Sequence, residues 1–205
     1  MGAQPNSFYL KRLFSLAGIF PIGAFLLQHF FSNAYVFLGP EAYNQHAEFL
    51  TGLPLVVLIE AAFIYMPILF HAAIGLVIIY RGENNFVEYG YPRNWMYFGQ
   101  RITGIIALVF IGTHAYTTRI QSFWAGEKFQ FSDMQAILSN PYWFWFYMVG
   151  VLAVCFHFAN GLWSFLATWG ITIGPKSQRF AAACSWVIFV VLGGLSVMIL
   201  TEFVA

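Results

Sequence analysis

Charge is scarce in this 205-residue sequence. Only 8% of the residues are Asp, Glu, Lys or Arg, whereas 60% are hydrophobic and 20% are aromatic. Soluble domains carry about a quarter charged residues, so this composition excludes an ordinary soluble domain and indicates an integral membrane protein. The net charge of +1 comes without a cluster of basic residues, and we therefore expect no nucleic-acid partner.

Cysteine is also scarce, because the chain has only Cys155 and Cys184, and both lie in apolar stretches. We expect no disulfide framework and interpret both as small buried hydrophobic side chains. The first apolar stretch is too long for the core of a cleavable signal, and we expect it to be retained as a helix.

Five apolar segments reach the roughly 20 residues that a helix needs to cross a bilayer. They cover residues 13–37, 55–80, 95–118, 142–168 and 180–203. A spanning segment must satisfy its own backbone hydrogen bonds. We therefore predict an all-α integral membrane protein, a bundle of five transmembrane helices that forms one domain over residues 1–205.

The basic residues are distributed unevenly between the two ends of the predicted bundle. One end carries Lys11, Arg12, Arg81, Arg93, Arg101, Lys176 and Arg179, and the other carries Arg119 and Lys128. Cytoplasmic loops of membrane proteins are enriched in Lys and Arg. This asymmetry predicts a multi-pass protein of the bacterial cytoplasmic membrane, with a cytoplasmic N-terminus and an external C-terminus.

Four of the five histidines lie inside four different spans: His29, His71, His114 and His157. Neutral imidazole is the commonest metal-ligand side chain, and ionisable residues at membrane depth are rare unless they are functional. Helix direction places His29 and His114 in the outer half and His71 and His157 in the inner half, roughly 10–15 Å apart along the membrane normal. We predict two stacked haems, each bound by one pair.

Small and polar residues share the helix faces of these histidines. Asn160, Gly161 and Ser164 follow His157 by three, four and seven residues, so they lie on its face and are candidates to contact a haem. Gly18 precedes His29 by eleven residues, and Gly104 precedes His114 by ten. Close helix packing is the alternative explanation for such small residues.

Three arginines are further candidates for cofactor contacts. Arg119 lies just beyond His114 and could meet an outer haem propionate or a quinone carbonyl, and Arg93 and Arg101 could do the same for the inner haem. The alternative is that they anchor the helices at the membrane interface. The fifth histidine, His46, is expected in an exposed outer loop.

Glu60 is the acidic residue that lies well inside a span. It precedes His71 by eleven residues, close to three helical turns, so we expect both side chains on one face, with Glu60 about 16 Å further out near the outer pair. Proton delivery to a quinone is the preferred hypothesis, and a boundary residue that reaches interfacial water is the alternative. Pro67, four residues before His71, should disturb the helix and affect the aim of the imidazole.

Several stretches resemble a known family. They are FYLKRLFSL at 8–16, PIGAFLLQH ending at His29, Asn94-Trp95-Met96 leading into QRITGII, and HFANGLWSFLATWGITIGPKSQR at 157–179. The chain resembles the single-polypeptide dihaem cytochrome b anchor of bacterial succinate:menaquinone oxidoreductases. Position 14 is Phe where a relative carries a further histidine, which argues against a fifth ligand there.

This resemblance implies a respiratory complex of three different subunits. A flavoprotein subunit with FAD would oxidise succinate, a second subunit would carry three iron–sulfur clusters, and this chain would anchor both at the cytoplasmic face. The resemblance assigns His71 and His157 to the haem b nearer the iron–sulfur subunit and His29 and His114 to the distal haem b. Menaquinone, in contact with membrane lipid, would be reduced near the distal haem.

Three alternatives remain open from the sequence. The same architecture could work in reverse, as the anchor of a quinol:fumarate reductase, because the anchor does not bind the dicarboxylate. A proton-conducting protein could use the four histidines and Glu60 as a relay. A structural anchor could carry the histidines only as packing residues.

Overall fold

The computed structural model describes residues 5–83 and 85–205. Within these residues the chain contains no β-strand and folds into ten α-helices. They are α1 (Pro5–Ile19), α2 (Ile22–Asn33), α3 (Pro40–Thr51), α4 (Val56–Glu60), α5 (Met66–Arg81), α6 (Pro92–Ala115), α7 (Gln121–Ala125), α8 (Phe131–Leu138), α9 (Pro141–Thr168) and α10 (Pro175–Glu202).

These helices combine into five segments that are long and apolar enough to cross a membrane. The five are Phe8–Leu38, Val56–Arg81, Pro92–Ala125, Pro141–Thr168 and Pro175–Glu202. The prediction of an all-α membrane protein with five spans is confirmed. The largest difference in boundary is in the third span, which continues seven residues beyond the predicted end at residue 118.

The first span is broken, although the sequence predicted one continuous helix over 13–37. Helix α1 ends at Ile19, and α2 begins at Ile22, directly after Pro21. Proline lacks a backbone N–H, and its ring clashes with the carbonyl four residues earlier, so a continuous helix through this position is disfavoured. The span then tightens into a 3₁₀ turn over Ala34–Leu38. The prediction of an unbroken first helix was wrong.

Two of the spans contain a π-helical turn. Ala61–Tyr65 separates α4 from α5, and Tyr116–Ile120 separates α6 from α7. Pro67 follows the first turn at the start of α5, as expected for a residue that cannot donate to the helix ladder. A π turn widens the helix, so the assumption of a regular helix between Glu60 and His71 was wrong.

The connection between the first and second spans is a helix rather than a loop. Gly39, with φ of +93°, permits the reversal before Pro40 begins α3. The prediction that His46 is an exposed loop histidine was wrong. His46 lies on α3, is half-buried, stacks on Tyr35 at 3.9 Å between ring centroids and hydrogen-bonds Ser32 Oγ at 3.1 Å.

Helix α9 lies at the centre of the bundle, with its longest contacts along α6 and α10, and α1 packs against both α5 and α9. Its buried residues include Tyr147 and Cys155, the latter fully enclosed. Both cysteines are free thiols, and Cys155 is buried as expected, whereas Cys184 is only half-buried. Helix α10 packs along α9 and contributes many of the buried residues, among them Leu192, Ser196 and Ile199.

Arginines join the helices at one end of the bundle. Arg12 on α1 donates to the carbonyl of Thr168, the last residue of α9, and its guanidinium lies 5.4 Å from the Trp169 ring centroid. Residues from the beginning of the first span and the end of the fourth span are therefore neighbours, as an up-and-down bundle requires.

Candidate functional site

The structure brings the four intramembrane histidines together in two pairs. The imidazole centroids of His29 on α2 and His114 on α6 lie 5.7 Å apart, with the ring planes at 72°. Those of His71 on α5 and His157 on α9 lie 6.3 Å apart, at 86°. The partners in each pair are those expected from helix depth. Their role as haem ligands stays a prediction.

The separations within both pairs suit a metal between two imidazoles. A metal–imidazole nitrogen bond is about 2 Å long, and the ring centroid lies about 1 Å beyond that nitrogen, so opposed ligands have centroids about 6 Å apart. The observed 5.7 Å and 6.3 Å agree with this distance. The two imidazoles of each pair are therefore close enough that both could ligate one metal.

The donor set suits haem iron better than a bare ion. Over residues 5–83 and 85–205, no cluster of three or more His, Cys, Asp or Glu side chains could hold a metal. A structural zinc ion takes about four protein ligands, whereas haem iron needs only axial ligands from the protein. The two histidine pairs therefore fit haem.

Backbone carbonyls of neighbouring helices orient the inner pair. His71 Nδ1 lies 3.1 Å from the carbonyl oxygen of Phe14, and His157 Nδ1 lies 3.0 Å from that of Gln100. With Nδ1 protonated, each ring donates to a carbonyl, and its Nε2 lone pair is free for a metal. This is the usual environment of metal-ligating histidine, because the outer bond fixes the tautomer and increases ligand basicity.

Two glycines lie directly against the inner imidazoles. A Cβ added at Gly18 would lie 2.7 Å from His71 Cε1, and one at Gly104 would lie 3.0 Å from His157 Cε1. Spacing along the chain associated these glycines with His29 and His114, and that association was wrong. A glycine admits a ring from the adjacent helix, so its role depends on which helices are neighbours.

Phe14 completes one side of the His71 ring, with centroids 4.2 Å apart and planes at 12°. From the sequence, position 14 was distinguished only by the absence of a histidine. The structure gives this position two contacts with His71, through its ring and through its carbonyl.

Gln100 links the inner part of α6 to α9. This residue was not predicted from the sequence as part of the site. Its Nε2 donates to the His157 carbonyl at 3.0 Å, and its Oε1 accepts from Asn160 Nδ2 at 2.8 Å. Gly161 faces the Gln100 amide, since an added Cβ would lie 3.3 Å from Nε2. Asn160 and Gly161 thus belong to the network around His157, whereas the Ser164 side chain is exposed. The occurrence of a Gln inside an apolar span is the feature of the sequence that could have identified Gln100.

The outer pair has a different environment. His114 Nδ1 lies 3.3 Å from the hydroxyl oxygen of Tyr147, and Phe110 stacks beside the His114 ring at 5.7 Å and 19°. Phe25 lies 5.4 Å from the His29 ring. The outer imidazoles are therefore enclosed mainly by aromatic side chains.

Glu60 forms an ion pair with Arg119 beyond the outer pair. Arg119 Nε lies 2.9 Å and 3.1 Å from the two carboxylate oxygens, and its Nη2 lies 3.0 Å from Oε2. Both side chains are half-buried, with 27% of Arg119 and 19% of Glu60 exposed. A haem propionate or a quinone carbonyl was the partner predicted for Arg119 from the sequence, whereas in the structure its partner is Glu60. The ion pair gives a half-buried carboxylate a partner of opposite charge.

Both members of this ion pair adjoin a π turn. Glu60 directly precedes the turn over Ala61–Tyr65, and Arg119 lies within the turn over Tyr116–Ile120. Arg119 also lines an open cavity of about 360 Å³, together with Glu48, Ser122 and Lys128. The outer end of the second and third spans therefore combines charge, irregular backbone and space.

The two other candidate arginines lie near the inner end. The Arg93 guanidinium lies 3.6 Å from the Trp163 ring centroid. Arg101 is buried and donates to the carbonyls of Ile79, Gly82 and Glu83 at the end of α5. Its positive charge stabilises the carboxyl end of that helix. Contacts of either arginine with a haem propionate stay a prediction.

Comparison with known proteins gives two relatives and one family. Residues 92–195 match the succinate dehydrogenase/fumarate reductase transmembrane subunit family. The chain is similar to the succinate dehydrogenase cytochrome b558 subunit of Bacillus subtilis strain 168, with 43% identity over 199 residues, 97% of this chain and 98% of the relative. It is also similar to the succinate dehydrogenase hydrophobic membrane anchor subunit of Thermoplasma acidophilum, with 33% identity over 94 residues, 46% of this chain and 73% of the relative.

Replacing Gly18 or Gly104 by alanine should disturb the inner pair selectively. The added methyl group would overlap an imidazole, and overpacking of this kind costs about 1–3 kcal/mol. We expect purified G18A and G104A to lose part of one b-type component in reduced-minus-oxidised absorption spectra. G112A is the control, because nothing lies within 4 Å of a Cβ at Gly112. Spectra of G18A and G104A identical to that of G112A would contradict the assignment.

Proposed function

Since the chain belongs to the succinate dehydrogenase/fumarate reductase transmembrane subunit family, we propose that it carries electrons between its two membrane faces through two haems b. The observation that carries this proposal is the arrangement of four histidines in two pairs. Electrons would enter from an iron–sulfur subunit at the cytoplasmic face, pass the inner pair and then the outer pair, and reach menaquinone near the external face.

Haem, when bound, supplies an iron atom that accepts and releases one electron at a time. The chain's contribution is to hold and orient the axial ligands, and to set the potentials through hydrogen bonds and burial. His71 and His157 would serve the inner haem, and His29 and His114 the outer one. The carbonyl acceptors on His71 and His157 support this assignment, because they leave Nε2 of each ring free.

Menaquinone reduction consumes protons as well as electrons, and Glu60 is our candidate to deliver them. Its carboxylate lies near the outer end of the second span, and its ion-pair partner Arg119 lines an open cavity of about 360 Å³. Arg119 holds the carboxylate by a two-pronged ion pair. We infer that Arg119 positions the Glu60 carboxylate. The ion pair between them would rearrange when Glu60 transfers a proton.

Two haems are required only if electrons must cross most of the membrane. With the cytoplasmic side negative, an electron that moves outward falls through about 2.3 kcal/mol per 100 mV. Menaquinone is a weak oxidant for succinate, so this energy would assist the forward reaction. The basic residues at the predicted cytoplasmic end support the orientation that this coupling needs.

The partners follow from the family. We propose that a flavoprotein subunit with FAD and an iron–sulfur subunit bind at the inner end of the bundle, where Arg12 and Arg93 lie. The chain itself performs no bond chemistry on succinate. The alternative is an anchor of a quinol:fumarate reductase that works in reverse, since the family description covers the transmembrane subunits of both enzymes.

The haem assignment is tested by optical spectra of histidine variants. We expect the purified protein to show two b-type components, and H29A or H71A each to lose about half of the absorbance, because each removes one axial ligand. H46A is the matched control and should keep both components, since His46 lies outside both pairs. A colourless wild-type protein would favour the proton-relay or the purely structural alternative.

The role of Glu60 is tested by Glu60→Gln in the assembled complex. We expect quinone turnover to fall on the order of 100-fold, as for loss of a general acid, with the haem spectra unchanged. Glu41→Gln removes an exposed carboxylate that accepts from Gln45 on α3 and lies outside the lining of the cavity. This control should leave turnover unchanged. Equal rates in E60Q and wild type would exclude the proposed proton delivery.

The coupling is tested in intact cells. An uncoupler should lower the rate of succinate:menaquinone reduction, because it removes the potential that drives electrons outward. Reduction of a soluble dye that takes electrons from the peripheral subunits should be unaffected, which controls for damage to the enzyme. A menaquinone rate that does not respond to the uncoupler would contradict transmembrane coupling.

A further inference from the structure

The two histidine pairs differ in what accepts the hydrogen at Nδ1. Both inner imidazoles face backbone carbonyls, at 3.1 Å and 3.0 Å. His114 in the outer pair faces a side chain instead, the hydroxyl of Tyr147, at 3.3 Å. A backbone carbonyl is present whatever the side chain, whereas a hydroxyl depends on one residue. The outer pair therefore carries a hydrogen bond that the sequence can alter.

Tyr147 is held rigidly in this position. It is among the most buried large side chains, with 2% of its surface exposed. Its ring packs edge-on against Phe110 at 5.3 Å and against His114 at 5.7 Å, and Phe146 lies 6.1 Å away. Little freedom is left for the hydroxyl oxygen to move away from the imidazole.

A buried hydroxyl at position 147 lowers the stability of the fold unless it forms a hydrogen bond. The chain has 24 phenylalanines, and the ring contacts of Tyr147 would suit one equally well. Burying a hydroxyl without a partner costs roughly 1–3 kcal/mol. The Thr117 side chain is one hydrogen-bond partner of the hydroxyl, and the contact with His114 Nδ1 is a second, which gives the imidazole an acceptor.

We propose that Tyr147 is a positioning residue for the outer haem, because its hydroxyl oxygen accepts the Nδ1 hydrogen of His114 and fixes the orientation and electron donation of that ligand. This inference rests on the proposed function, since it requires His114 to bind haem iron. An acceptor at Nδ1 makes the imidazole a stronger donor through Nε2. A stronger donor favours the oxidised iron, and so lowers the midpoint potential of that haem.

The test is a potentiometric titration of the purified complex with Tyr147→Phe. We expect the outer component to move to a more positive midpoint. The preference for the oxidised form should fall about tenfold, at the lower end of outer-ligand effects on metal sites, which is about 59 mV for one electron. The midpoint potential of the inner component should not change. The outer component is identified as the one that H29A removes.

Tyr142→Phe is the matched control. Tyr142 lies on the same helix, is 88% exposed and should leave both midpoints unchanged when its hydroxyl is removed. Loss of the outer component alone in Y147F would also support the proposal, because the ligand would then have lost its orientation. An unchanged outer midpoint, a negative shift, or a shift of the inner component would overturn it.

A second variant covers the case in which Y147F retains neither haem. Fluorotyrosine at position 147 keeps the hydroxyl and the shape of the ring but makes the oxygen a weaker acceptor. A smaller positive shift of the outer midpoint is then expected, and no shift would overturn the proposal. Absence of haem from the wild-type protein would instead refute the proposed function, so the two failures are distinguishable.

Discussion

The arrangement of the histidine pairs depends on hydrogen-bond partners for imidazole nitrogens inside a membrane-spanning bundle. A polar group at this depth has no bulk water to bond with, so its partner must come from another helix. For His71 the partner is the carbonyl of Phe14 on α1, and for His157 it is the carbonyl of Gln100 on α6. These bonds determine which ring nitrogen stays free, and they also determine which helices must be adjacent.

A second constraint acts at the other end of the bundle. The Glu60–Arg119 ion pair links the second span to the third, and each partner adjoins a π turn. Irregular helix turns of this kind are frequent at functional sites. Two charges in this part of the bundle stabilise each other only because both spans bring them to one level, so the ion pair also holds the two helices in register.

The sequence was sufficient for the architecture and for the pairing of the histidines. Hydrophobic length identified five spans, and helix direction placed His29 at the level of His114 and His71 at the level of His157. It was insufficient where proline intervened. Pro21 divides the first span, and a π turn precedes Pro67, so spacing along the chain no longer gave the correct helix face.

The sequence did not predict which residues contact a histidine on a different helix. Gly18 and Gly104 precede one histidine along the chain but make room for a different one in space. Gln100 and Tyr147 carried no sign of their partners, because a hydrogen bond between helices depends on rotation of both. Amino-acid sequence alone determined which segments span the membrane and how deep each ionisable group lies, since both follow from local composition and helix rise. Only the tertiary structure decided which ring, carbonyl and hydroxyl meet, because those contacts require the relative rotation of packed helices.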